Sequence, residues 1–103
     1  MSFSRSAAPD DVDEVRRIVL GGLGAHRAKV WFFGSRASGQ PRRGSDIDVA
    51  ILPLEPLPAG LLAEIRENLE SSRVLATVDV VNLLEADPGL RARVEREGIP
   101  WAS

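Results

Sequence analysis

The sequence predicts an α+β domain, a small mixed β-sheet of about three strands packed with helices. Three observations carry this expectation. Stretches of helical periodicity alternate with short apolar runs, Gly and Pro punctuate the junctions, and no run is long enough for a membrane span. The 103 residues suit one domain, residues 1–103 with a core at about 10–99. A chain of this size buries only about 60–68% of its extended surface, so the core is thin. With 44% hydrophobic and 27% charged residues, the composition argues against disorder.

The elements follow in order. Asp10-Asp11 opens a helix with Val12, Val15 and Ile18/Val19 at helical spacing. Asp11 with Glu14 resembles a capping box, and Gly21-Gly22 is the expected stop. Lys29 to Phe33 is nearly all β-branched or aromatic and reads as a buried strand. Gly34 to Ser45 reads as a loop, with room for a short helix at Ser35–Ser38. Asp46 to Leu52 alternates as a second strand, stopped by Pro53, Pro56 and Pro58. Leu61, Leu62, Ile65 and Leu69 mark an amphipathic helix to about Ser72. Val74 to Val81 reads as the third strand. In the last helix Asp87 is the N-cap, Pro88 takes the first position and Gly98 lies just past the end. Three strands are few, so a homo-oligomer or another partner could complete the core.

Composition excludes several functions. Without cysteine there is no disulfide scaffold, thiolate zinc site or cysteine nucleophile. A net charge of −2 disfavours direct nucleic-acid binding, which normally shows a basic excess. The N-terminal MSFSRSAAPDD has no secretory apolar region, so no membrane association and a cytoplasmic location are expected. Twelve of the 13 basic residues are arginines, and Arg36, Arg42 and Arg43 crowd the Gly- and Ser-rich loop. Arginine's planar fork suits phosphate oxygens.

The chemistry concentrates in Gly34-Ser35, Asp46-Ile47-Asp48 and Asp79. Alternation puts Asp46 and Asp48 on one strand face and Ile47, Val49 and Ile51 on the other. Two residues of strand rise separate the acids by roughly 6.6–6.8 Å, close enough to converge on one hard cation or bridge two. Asp79 sits mid-strand among valines, and a flanking position would bring three carboxylates together. Crowded carboxylates raise one another's pKa unless a cation neutralises them, and magnesium shared with substrate phosphates does so. Gly34 permits close backbone approach to a phosphate, and Ser35 offers a hydroxyl and an N–H. Phosphate cradle plus carboxylates is the equipment of phosphoryl or nucleotidyl transfer. Taken singly, each acid reads as a solvated strand edge or a paired buried group; their joint spacing argues for function.

Other motifs fail. Gly34-x-x-x-x-Gly39 lacks the Lys-Ser/Thr of a P-loop, Gly22-x-Gly24 follows a helix, and Asp46-x-Asp48 lacks the rest of an EF-hand loop. His26, the lone histidine, reads as a helix-end surface residue. Trp31, Phe32 and Phe33 read as core, whereas Trp101 would dock on the domain, a nucleobase or a partner.

Phe33-Gly34-Ser35-Arg36-Ala37-Ser38-Gly39, then the run to Ser45, then Asp46-Ile47-Asp48-Val49 resembles the polymerase-β-like nucleotidyltransferase superfamily. More narrowly, the chain is similar to the minimal nucleotidyltransferase (MNT) family, from about Val12 to Ile99. Ser38 departs from it, since many relatives carry arginine there. The resemblance implies the polymerase-β-like fold and magnesium-dependent transfer of a nucleoside monophosphate, AMP from ATP, to an acceptor hydroxyl. It implies Asp46, Asp48 and Asp79 as catalytic residues holding two Mg²⁺ ions, with Gly34, Ser35, Arg36 and Ser45 binding the nucleotide. It also implies a HEPN-domain toxin as partner, in a toxin–antitoxin pair. The rival functions are an antitoxin that neutralises by binding alone and a small-molecule, antibiotic-type nucleotidyltransferase.

Overall fold

The structure is a computed structural model and describes residues 9–33, 47–74 and 76–102. Among the described residues, three helices and four strands run in the order α1 (Pro9–Leu23), β1 (Ala28–Phe33), β2 (Ile47–Pro53), α2 (Leu61–Glu70), β3 (Val78–Asn82), α3 (Pro88–Glu97) and β4 (Ile99–Ala102). The strands form one mixed sheet in the order β3-β2-β1-β4. β1 pairs antiparallel with β2 and β4, and β2 pairs parallel with β3. A parallel pair needs a crossover, and α2 supplies it.

β2 is central, and its residues Ile47 to Leu52 are all buried. On one face Val30, Ile47, Val49, Ile51 and Val80 pack against Val15, Val19 and Leu23 of α1 and Ile65 and Leu69 of α2. On the other, Trp31, Phe33, Ala50 and Leu52 pack with Leu83 and with Val94 of α3. The aliphatic spacing read from the sequence is thus the core-facing stripe of α1 and α2.

Four expectations are corrected. Among the described residues the sheet has four strands, not about three. β4 is only four residues long and contains Pro100, which cannot donate to a ladder, so its pattern is weak. It forms because Gly98 turns the chain from α3 back along β1, where a register shift between Val30 and Trp31 accommodates it. α1 begins at Pro9, so Asp11 lies inside the helix rather than at its cap. α1 also runs through Gly21-Gly22 to Leu23, whose side chain is buried, and ends where Gly24 takes the left-handed conformation at φ 58°. The third strand begins at Val78, four residues later than expected from Val74, because pairing with β2 starts at Ile47↔Val78. The last helix has the expected boundaries. Asp87 Oδ2 accepts from the N–H groups of Gly89 (2.9 Å) and Leu90 (3.3 Å), and Pro88 opens the helix.

Candidate active site

The pairing register sets the site. Phe33 of β1 lies opposite Asp48 of β2, and Asp48 lies opposite Asp79 of β3. Residues paired in register share a sheet face, and neighbouring strands lie about 4.8 Å apart. The two acids therefore stand side by side on the face that carries Ala50 and Leu52. Strand alternation forces this placement. Ile47, Val49 and Ile51 must enter the aliphatic core, which leaves Asp48 no other face. In β3, Val80 enters the same core and Asp79 is turned away from it.

Asp48 is 0% exposed and is the single buried charged residue among the described ones, while Asp79 is half-buried. Both lie where β1 ends and β2 and β3 begin. Like charges directly opposite on neighbouring strands repel. Paired carboxylates are hard oxygen donors of the kind magnesium takes, so Asp48 and Asp79 fit that ion. Among the described residues no group of three His, Cys, Asp or Glu forms a metal site. Asp46, the third acid of the expected set, lies outside the described residues, as do Gly34, Ser35, Arg36, Ser45, Arg42 and Arg43.

A family model for polymerase beta nucleotidyltransferases matches residues 26–101. The chain belongs to the polymerase-β nucleotidyltransferase family. Among solved structures, a minimal nucleotidyltransferase is 33% identical, with 88% of this chain and 93% of that one covered at a TM-score of 0.64. A toxin–antitoxin structure with AMP-PNP is 26% identical, covering 91% of this chain and 72% of its own at 0.60. A complex of tri-AMPylated HEPN toxin with MNT antitoxin from Shewanella oneidensis shares the fold at 22% identity, with 90% and 70% covered and a TM-score of 0.63. No curated protein matches the chain. This minimal nucleotidyltransferase relative is covered almost end to end, so the likeness extends well beyond the motif around Asp48.

Two residues outside the acids are also placed. His26 Nδ1 lies 3.4 Å from Glu55 Oε2, at the end of β1 far from Asp48, which fits the surface role expected of it. Trp101 stacks on Phe32 with ring centroids 5.5 Å apart and planes 7° apart, so of its three expected docking places it takes the domain. The sequence reading missed Arg66. It lies on the exposed side of α2, where arginine ordinarily reads as a solvated charge, yet its Nη2 donates to Val80 O at 2.9 Å. No sequence signal marks it, because the contact joins residues 14 positions apart across two elements.

Proposed function

We propose that this nucleotidyltransferase-family domain moves AMP from ATP to an acceptor hydroxyl with magnesium bound, as the antitoxin of a HEPN/MNT pair. The Asp48↔Asp79 register on one sheet face is the observation that carries the reading. Asp46, Asp48 and Asp79 would hold two Mg²⁺ ions, which supply charge neutralisation of the triphosphate and of the leaving pyrophosphate. Gly34 and Ser35 bind the β,γ-phosphates through backbone N–H and hydroxyl donors, and Arg36 and Ser45 add contacts to the nucleotide. Asp79 orients the acceptor hydroxyl and draws its proton as the acceptor oxygen bonds to the α-phosphorus and the bond to the β-phosphate oxygen breaks. Support for the partner comes from the relatives, which include an MNT antitoxin complexed with an AMPylated HEPN toxin.

The test is Asp79→Asn, which keeps shape and removes charge. The fold is expected to persist, binding of ATP to weaken modestly, and transfer of labelled AMP to a HEPN partner to fall by roughly three orders of magnitude. A folded Asp79→Asn chain that still neutralises the partner fully would replace the enzyme reading with that of a binding antitoxin. As a second readout, magnesium and ATP together should raise the Tm more than either alone.

A further inference from the structure

We infer that Arg66 is a positioning residue, a clamp on the open edge of β3 that holds Asp79 opposite Asp48. Among the described residues β3 is an edge strand, paired on one side only. Its ladder to β2 is framed by Ile47 N–H donating to Thr77 O (3.0 Å) and Leu83 N–H donating to Ile51 O (2.9 Å). In a parallel ladder alternate residues bond to the neighbour, so Asp79 and Val81 turn their backbone toward β2 and Val78, Val80 and Asn82 turn theirs outward. Glu85 N–H closes on Asn82 O (3.0 Å) at the end of that edge. At its middle, Val80 O accepts from Arg66 Nη2 at 2.9 Å.

Two features make this contact more than a surface decoration. Its donor is a charged fork on the crossover helix, and its acceptor is the carbonyl of a residue whose side chain is 4% exposed and seated in the aliphatic core. α2 thus grips β3 twice, through Ile65 and Leu69 in the core and through Arg66 at the rim. Arg66 and Asp79 also line the same cavity of about 330 Å³ on that rim, with Glu70 and Thr77. Loosening this strand moves a proposed metal-binding carboxylate, while β1 and β2, which carry Phe33 and Asp48, are braced on both sides.

The inference rests on the proposed role of Asp79 for its kinetic part and on geometry for its structural part. The experiment compares the 103-residue chain with Arg66→Met, which keeps an apolar stem, and with Arg66→Lys, which keeps charge and one donor. Amide hydrogen exchange is read at Asp79 and Val81, with Val19 of α1 as the internal reference, and AMP transfer is read as kcat and KM for ATP. Arg66→Met is expected to speed exchange at Asp79 and Val81 about tenfold more than at Val19, and to lower kcat about tenfold with KM for ATP nearly unchanged. Arg66→Lys is expected to recover part of both. Exchange that accelerates equally everywhere, or not at all, would overturn the clamp. So would unchanged kcat in a chain whose Asp79→Asn variant is inactive. If Asp79→Asn is itself active, the proposed function falls, and the exchange data still decide the clamp. Should Arg66→Met not fold, the same exchange comparison on Arg66→Lys decides it.

Discussion

Among the described residues, two helices close one face of the sheet and one closes the other. Against α1 and α2 the described buried cluster is wholly aliphatic, with Val15, Val19, Ile65 and Leu69 meeting Val49 and Ile51. Against α3 the cluster is smaller and mixes Trp31, Phe33 and Leu52 with Ala50, and the same face carries Asp48 and Asp79. α3 packs on β1. The difference teaches how a thin domain separates its tasks. Among the described residues, the aliphatic core is concentrated where two helices exclude water, and charge is placed where one helix packs on the sheet.

That contrast is open to tests of opposite sign. Ile65→Ala, at a position 0% exposed between α1 and the sheet, is expected to cost about 2–5 kcal/mol in urea unfolding. Asp48→Asn, equally buried on the other face, is expected to leave the Tm of the metal-free chain unchanged or higher, because it relieves repulsion from Asp79. Its AMP transfer should fall on the order of a thousandfold. A large loss of stability in Asp48→Asn would show that the acid belongs to the core rather than to a site, and the contrast between the faces would break.

Gly98→Ala sharpens the one-helix face. The glycine has φ −76°, which any residue adopts, so its role is space. A Cβ there would stand 2.7 Å from Val94 O and 3.1 Å from the Trp31 Cβ, pushing α3 and β4 away from β1. A cost of about 1–3 kcal/mol is expected, with loss of the Trp101–Phe32 stack seen in near-ultraviolet circular dichroism. A change confined to the acids' activity, with stability intact, would show that α3 is not the cover of that face.

The smallest expected effect lies on the outer surface of α1. Arg17 donates from Nε to Glu14 Oε1 at 3.2 Å and from Nη2 to Oε2. These hydrogen bonds, with the guanidinium charge, hold the Glu14 carboxyl below its ordinary range. A carboxyl with a depressed folded-state pKa stabilises above its unfolded pKa, and the contribution is lost as pH falls through the folded value. Glu14→Gln should therefore lower the Tm slightly at pH 7, with the gap to the parent closing on acidification and in high salt. A gap independent of both would assign the effect to helix propensity instead.

How much was legible varies by element. The boundaries of α3 were plain because Asp87, Pro88 and Gly98 act locally, through capping and chain geometry. The stripe of α2 was plain because periodicity reports a buried face directly. β4 was not legible, because Pro100 and a length of four residues erase the strand pattern and only the adjacent edge of β1 recruits it. Asp79 was recognisable as an acid among valines, but its place opposite Asp48 depends on which strands pair and in what register.

By itself the sequence determined the α+β class, the alternation that sends Ile47, Val49 and Ile51 inward, and the acids that alternation turns the other way. Those properties are local, set by side-chain period and by residues that cap or break an element. Tertiary structure decided the strand order, the parallel register that places Asp48 beside Asp79, the recruitment of β4, and the reach of Arg66 to Val80. Each joins residues far apart in the chain, and what selects them is the burial of shared apolar surface together with the pairing of backbone groups that no local pattern encodes.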